Sequence, residues 1–220
     1  VSSVKLVHAS SEELLDSIAY IARVSNPGGQ TSTKTNKRLI NYMIREGHWS
    51  PFEMVTICLE VETTRDIARQ IIRHRSFSFQ EFSQRYSDVS VLGDVTYREA
   101  RGQDSKNRQN SVRMEDPHIH EEWRYKQEVA WLAANDAYTW ALSNGIAKEQ
   151  ARAVLPEGMT NSRLYMNGSV RSWIHYVQLR SGNGTQQEHK EIAVQCAEEI
   201  STVFPMIMDF VEGVETDVSL

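Results

Sequence analysis

The chain has 220 residues, 40% hydrophobic and 24% charged, an ordinary composition for a globular protein of one domain. Its formal net charge of −5 argues against general nucleic-acid binding, which runs on a basic surface. No apolar run is long enough to span a bilayer, and the start lacks the basic-then-apolar pattern of a signal peptide, so a cytoplasmic protein is expected.

Val4 to His8 reads as a short strand. Ser10 or Ser11, followed by Glu12 and Glu13, predicts a helix start with acids in its first turn, running to about Arg23. Asn26-Pro27-Gly28-Gly29 is a loop. A second helix is expected from Thr35 to Glu46, with Leu39, Ile40 and Met43 on one side and Gly47 as its stop. His48 to Glu53 is a loop. Met54 to Glu62 is the clearest strand, with Val55, Ile57, Leu59 and Val61 alternating against Met54, Thr56, Cys58 and Glu60. Thr63 or Thr64 then caps a helix through Asp66, Ile67, Ile71 and Ile72.

The segment 73–85 follows this helix and is itself strand-like: Arg-His-Arg-Ser-Phe-Ser-Phe-Gln-Glu-Phe-Ser-Gln-Arg. Phe77, Phe79 and Phe82 would anchor it in a core. Glu81, Ser83 and Arg85 alternate at the strand period and are expected on one face. Cations at a helix exit also suit the negative end of the macrodipole. The density of anion-binding groups beside flat rings points instead to a ligand carrying phosphates and rings.

From Leu92 to His120 the chain is polar and reads as a long excursion. Glu121 to Ser143 is a long helix, with Trp123, Val129, Ala130, Ala134, Ala137 and Ala141 as its packing stripe. Lys148 to Leu155 makes a short helix stopped by Pro156, and Arg163 to Met166 is short and extended. Ser169 caps a helix through Trp173, Val177 and Arg180. Gly182-Asn183-Gly184 is a turn, Gln186 to Phe204 is amphipathic, and Asp209 to Val214 continues as a short helix. The class is α+β, a central and mainly antiparallel sheet packed with several helices, with residues 1–220 as one domain.

Gln70 and Arg73 lie at i and i+3 and share a helix face. With Arg85 they suit a phosphate, whose oxygens match Arg forks; a surface network with Asp66 or Glu81 suits them equally. Arg152 sits in the apolar stretch Ala-Arg-Ala-Val-Leu-Pro and needs an anion or carbonyls, with Glu149 or Glu157 as the structural alternative. Arg171 and His175 share a face at i, i+4. His48 with Glu53, and His118 with His120, have no metal-ligand spacing, so no metal is expected. There is no GxSxG, P-loop or GxGxxG. Cys58 and Cys196 form no CxxC pair and read as small buried hydrophobes.

The run Arg73-His74-Arg75, seven residues and then Ser83 resembles the motif of flavin-dependent thymidylate synthases, with Ser78, Glu81 and Arg85 also at family positions. Gln80 stands where the family often has Asn. The resemblance extends to Ala22-Arg23-Val24-Ser25, Gly47-His48 with Phe52-Glu53, Ala151-Arg152 through Leu155-Pro156, and Arg171 to Leu179-Arg180, in family order. Asp104 to Asn110 in the excursion is similar to a segment of some members.

The resemblance implies a homotetramer with FAD at subunit interfaces, where the active sites form. It implies methylation of dUMP to dTMP, with the methylene from 5,10-methylenetetrahydrofolate and hydride from NADPH through the flavin. By that resemblance Gln70, Arg73, Glu81, Ser83, Gln84, Arg85, Arg152 and Arg180 would contact dUMP. Gln70, Ser83, Arg85 and Arg152 would take its phosphate. Ser50, Arg73, His74, Arg75, Glu81, Ser169, Arg171 and His175 would contact FAD, with His48 near the flavin ring. Ser169 and His175 fall where some members have Asn.

Arg180 would stabilise negative charge developing on the pyrimidine, and no cysteine sits in a basic context that would make it a nucleophile. Two other classes compete. A non-catalytic flavin or nucleotide sensor would need neither Arg180 nor a folate surface. An RNA-binding module would use Arg73, Arg75 and the three phenylalanines for stacking, against the net negative charge.

Overall fold

The protein is described from a computed structural model covering residues 2–213. In chain order the elements are β1 (Ser3–Ala9), α1 (Leu14–Ala22), α2 (Asn36–Arg45), β2 (Thr56–Thr64), α3 (Arg65–Ile71) and β3 (Phe77–Glu81). There follow β4 (Arg101–Gln103), β5 (Ser111–Arg113), α4 (Pro117–Ser143), α5 (Lys148–Ala151), β6 (Asn161–Ser169), α6 (Val170–Arg180) and α7 (Gln187–Ser201). Short 3-10 turns sit at Pro27–Gly29, Ser50–Glu53, Val89–Leu92, Arg152–Val154 and Pro205–Phe210. The main sheet has the order β1-β2-β6-β3, and every pairing in it is antiparallel.

The alternation read in β2 does the central work. Ile57, Leu59 and Val61 are wholly buried, and so are Leu164 and Met166 of β6. Trp173, Tyr176 and Val177 of α6 and Ile192, Ala193, Cys196, Ala197 and Ile200 of α7 complete the same core. Burying apolar surface on this scale is the dominant favourable term in folding. The Trp173 indole is buried without loss because its N–H donates to the Ile57 carbonyl at 2.9 Å. A smaller cluster of Tyr138, Ala141, Ala151 and Leu155 ties α4 to α5 and the turn after it.

The α+β architecture expected from the sequence is the one observed, with six differences in detail. The first helix begins at Leu14, because the Ser11 hydroxyl accepts from the Glu13 amide at 3.2 Å in a preceding turn and caps nothing in the helix. The 3-10 turn over Ser50–Glu53 delays β2 to Thr56 and leaves Met54 exposed. The excursion is shorter than expected: β4 and β5 form a hairpin within it, and α4 starts at Pro117 under an Asp116 cap. The expected packing stripe of α4 fails. Of its members only Ala141 is buried, and the inner face carries Gln127 and Tyr138 instead. Strand β6 runs for nine residues, through Asn167 and Gly168. Last, Pro205–Phe210 holds the turn expected from Asp209 to Val214, and Val214 lies outside the described residues.

Gly168 is paired with Phe77 across β6 and β3. A Cβ there would meet Phe77 Cδ1 at 2.4 Å and Cε1 at 2.6 Å, so the ring lies directly over the glycine. Gly168→Ala is expected to destabilise the fold by about 1–3 kcal/mol. Chemical denaturation measures it, and an unchanged midpoint would contradict the close packing.

Candidate functional site

The exit of α3, the end of α6 and the start of α7 meet at one place. Gln70 is the penultimate residue of α3, and His74 lies in the turn that follows. Arg180 ends α6, held by a Ser169 cap that accepts from the Ser172 amide at 3.2 Å. The Arg180 Nε–H donates to His74 Nε2 at 2.8 Å. That contact requires a lone pair on Nε2, so His74 is neutral there. Burial first, then the charges of Arg180 and His175, push its pKa down to about 4. The other nitrogens of Arg180 remain for a ligand, and among the described residues it makes no ion pair.

His189, in the first turns of α7, is fully buried. Its Nε2 lies 3.1 Å from the Tyr176 hydroxyl and its Nδ1 lies 3.3 Å from Gln70 Oε1. Burial first, then Arg180 and His74, lowers its pKa to about 3. The Tyr176 ring packs edge-on against His74 with centroids 4.9 Å apart. Burial raises the Tyr176 pKa well above its ordinary value, which keeps the hydroxyl protonated.

A second group surrounds a cavity of about 400 Å³ lined by Trp49, Glu53, Ser76, Arg171, His175 and Gln178 among others. Glu53 organises it: Ser169 Oγ donates to Glu53 Oε2 at 2.8 Å, and Arg171 Nη1 donates to Oε1 at 2.8 Å. His175 is exposed on this face. Ser50 starts the neighbouring 3-10 turn. His48 is exposed and lies edge-on to Tyr42 at 5.8 Å.

The third group lies past β3. Ser83 and Arg85 line a depression of about 360 Å³ with Tyr86, Lys148 and Glu149. The expectation that Glu81, Ser83 and Arg85 share a strand face is corrected here. Strand β3 ends at Glu81, and the Ser83 carbonyl accepts from the amides of Tyr86 and Ser87, at 3.0 Å each, in a turn. Glu81 faces inward, accepting from Ser162 Oγ at 2.9 Å and lying 3.7 Å from Arg65. Gln84 is buried, and its Nε2 has no partner among the described residues.

The carboxylates proposed as structural partners for the cations are engaged elsewhere. Asp66 pairs with Arg98 at 2.9 Å. Glu157 pairs with Arg65 and Arg69, at 3.3 Å each, and Glu149 with Arg85 at 3.2 Å. Among the described residues Arg73, Arg75 and Arg152 therefore have no ion-pair partner. Burial pushes the thiols of Cys58 and Cys196 up, which disfavours a thiolate nucleophile. Among the described residues no three His, Cys, Asp or Glu side chains gather as a metal-ion group, and no helix is long and apolar enough to cross a membrane.

A family model described as thymidylate synthase complementing protein matches residues 5–206. The chain belongs to that family. A "Probable flavin-dependent thymidylate synthase" of Paramecium bursaria Chlorella virus 1 is 48% identical over 198 residues, 90% of this chain and 89% of that protein. A flavin-dependent thymidylate synthase of Synechocystis is 50% identical over 190 residues, 86% of each chain. Among solved structures, PolB of Streptomyces cacaoi, a UMP/dUMP methylase bound with 5-Br dUMP, superposes with a TM-score of 0.80 at 27% identity, covering 96% of this chain and 94% of that one. The family read from the motif is thus borne out across the chain.

Within this family member, four residues were not legible from the sequence. His189 and Gln186 are neighbours of Gln70, and Tyr176 lies behind His189. Glu53 is the fourth, as the shared acceptor of Ser169 and Arg171. The available signal was a cluster of Gln, Glu and His at a helix start directly after a glycine turn.

The two depressed histidines set a pH response. Between the ordinary histidine range and the values of about 4 and about 3, the unfolded chain binds more protons than the folded one. Stability therefore falls as pH falls through that window. Urea unfolding at pH 5 against pH 7 is expected to show a loss on the order of 1–2 kcal/mol per histidine, smaller overall in a His189→Gln variant. A flat profile from pH 7 to pH 5 would refute it.

Proposed function

We propose that the chain catalyses reductive methylation of dUMP to dTMP, as a flavin-dependent thymidylate synthase. FAD is the redox cofactor, 5,10-methylenetetrahydrofolate gives the methylene, and NADPH is the reductant. Residues 1–220 act as one domain. The observation that carries this reading is the Arg180 guanidinium set against a neutral His74, with Arg73, Arg75 and Arg152 also left without carboxylates among the described residues. Arg152 and Arg180 are partly buried, and a half-buried guanidinium without a partner is costly unless a ligand supplies the anion; Arg73 and Arg75 are exposed. The orphaned Nε2 of buried Gln84 is a second group that a bound molecule would satisfy.

The residues fit both molecules. Gln70, Ser83, Arg85 and Arg152 would hold the dUMP phosphate, with Arg73, Glu81 and Gln84 on the rest of the nucleotide. Ser50, Arg73, His74, Arg75, Glu81, Ser169, Arg171 and His175 would hold FAD, with His48 beside its ring. The flavin, when bound, supplies the redox chemistry that side chains lack. Carbon 5 of uracil is a weak nucleophile, and negative charge on the pyrimidine activates it. Arg180 stabilises that charge as a fixed cation at the end of a rigid helix. His74 takes only the Nε–H, so the Nη donors stay available for the ligand, and a neutral His74 adds no competing charge.

Among the described residues no hydrogen bond or ion pair links the Gln70–Arg180 group to Arg85 and Arg152. A second copy completing each site would bring them together, in keeping with a homotetramer. An apolar stripe on α4 supports association: Tyr125, Val129, Leu132 and Trp140 recur at helical spacing opposite the buried face, with Leu132 58% and Trp140 61% exposed.

The absorption spectrum of the purified protein is the first test. Flavin bands that bleach faster with NADPH when dUMP is present are expected; a colourless protein that takes up no added FAD sinks the reading. Arg152→Ala should weaken dUMP by on the order of 3–5 kcal/mol in titration while flavin stays bound. Arg180→Ala should lower kcat more than dUMP affinity, and equal losses would make it a binding residue only.

A further inference from the structure

Beside the site, five side chains form a hydrogen-bonded line whose direction is set at one end. Glu188 faces the Arg98 guanidinium at 3.6 Å, and a carboxylate so paired accepts hydrogen bonds and donates none. Gln186 Nε2 donates to Glu188 Oε2 at 2.8 Å. With its NH2 committed there, Gln186 has only its carbonyl for Gln70, and Gln70 Nε2 donates to Gln186 Oε1 at 2.8 Å. Gln70 consequently turns its own carbonyl to His189, 3.3 Å from Nδ1. That nitrogen must carry the proton, which leaves Nε2 as the acceptor. The Tyr176 hydroxyl, 3.1 Å away, is then the donor.

Reversing any one link would set two donors or two acceptors against each other. The far end cannot adjust through water, because His189 and Tyr176 are both fully buried. The near end is held in turn: Arg98 also binds Asp66 at 2.9 Å and Thr64 Oγ1 at 2.5 Å. Gln186 is exposed and Gln70 and Glu188 are partly buried, so the direction set at the near end passes to a far end that is fully buried, where one reversed member would leave a buried group unsatisfied.

We infer that the line Glu188–Gln186–Gln70–His189–Tyr176 locks the Gln70 amide as a donor-only contact for the ligand, with Glu188, Gln186 and His189 as positioning residues. The Gln70 carbonyl is consumed inside the protein, while one amide N–H is taken by Gln186 and the other is left for the ligand. This rests on the proposed dUMP reading, in which Gln70 meets the phosphate. Phosphate oxygens of the dianion accept and do not donate. A glutamine free to turn would present its carbonyl to that anion for part of the time, and the line removes that state. It also favours the phosphorylated nucleotide over its nucleoside at this position.

Two measurements test it. Neutron diffraction from the deuterated, flavin-loaded protein without nucleotide should place deuterium on His189 Nδ1 and none on Nε2, with the Tyr176 hydroxyl directed at Nε2. Deuterium on Nε2 overturns the inference whether or not the protein binds dUMP. Glu188→Gln keeps the shape of the anchor but can donate or accept, so the direction is no longer imposed. In that variant the dUMP dissociation constant should rise about tenfold. Deoxyuridine affinity, flavin content and kcat at saturating dUMP should hold within about twofold. Equal weakening of dUMP and deoxyuridine, or unchanged dUMP binding, overturns the assignment of Gln70 to phosphate. A wild-type protein that binds neither molecule ends the substrate reading and this nucleotide arm together, while the diffraction result still judges the line.

Discussion

Strand β6 is hydrogen-bonded along both edges, to β2 over its full length and to β3 from Leu164 to Gly168. Its last residue, Ser169, becomes the cap of α6, so strand and helix form one continuous arm. The arm is pinned twice near its bend. The Val170 amide donates to the Val55 carbonyl at 3.0 Å, and the Trp173 indole donates to the Ile57 carbonyl at 2.9 Å. Arg180 lies at the far end, and its position relative to His74 is inherited from those contacts. Beside the bend, Gly168 admits the Phe77 ring where a Cβ would collide with it.

The electrostatics follow from that placement. Carboxylates are plentiful in an acidic chain, yet those nearest the site are assigned. Glu157 neutralises Arg65 and Arg69, Asp66 and Glu188 flank Arg98, and Glu53 takes Arg171. What remains is positive, next to two histidines kept neutral by burial and by Arg180. Neutral imidazoles accept and donate in a fixed sense without cancelling or adding charge. They can therefore orient Arg180 and Gln70 while leaving the site's positive potential to the guanidinium groups.

The outer face of α4 obeys a different constraint. A helix of 27 residues has only Gln127, Tyr138 and Ala141 buried, far fewer than an amphipathic helix buries against its own core. Tyr125, Val129, Leu132 and Trp140 face outward. Such a face leaves apolar surface in water, a cost that only its burial would remove.

Local signals were enough for the strand alternation of β2, the Gly47 stop of α2, the Ser169 cap of α6 and the cation-rich exit of α3, because each depends on residues a few positions apart. The motif around residues 73–85, with the matching segments before and after it, also identified the family. The length of β6 and the inner face of α4 were beyond that reach. A strand paired on both sides tolerates Asn and Gly where its neighbours supply the bonds, and the inner face of α4 spends Gln127 on the Arg98 backbone while Tyr138 and Ala141 pack on a short helix. Ser83 and Arg85 left the strand because β3 ends at Glu81 and the next carbonyls close a turn. Which cations stayed unpaired, and that His189 of α7 faces Gln70 of α3 across 119 positions, were settled only in three dimensions. Charge pairing and hydrogen-bond direction depend on distance in space, which chain order does not carry.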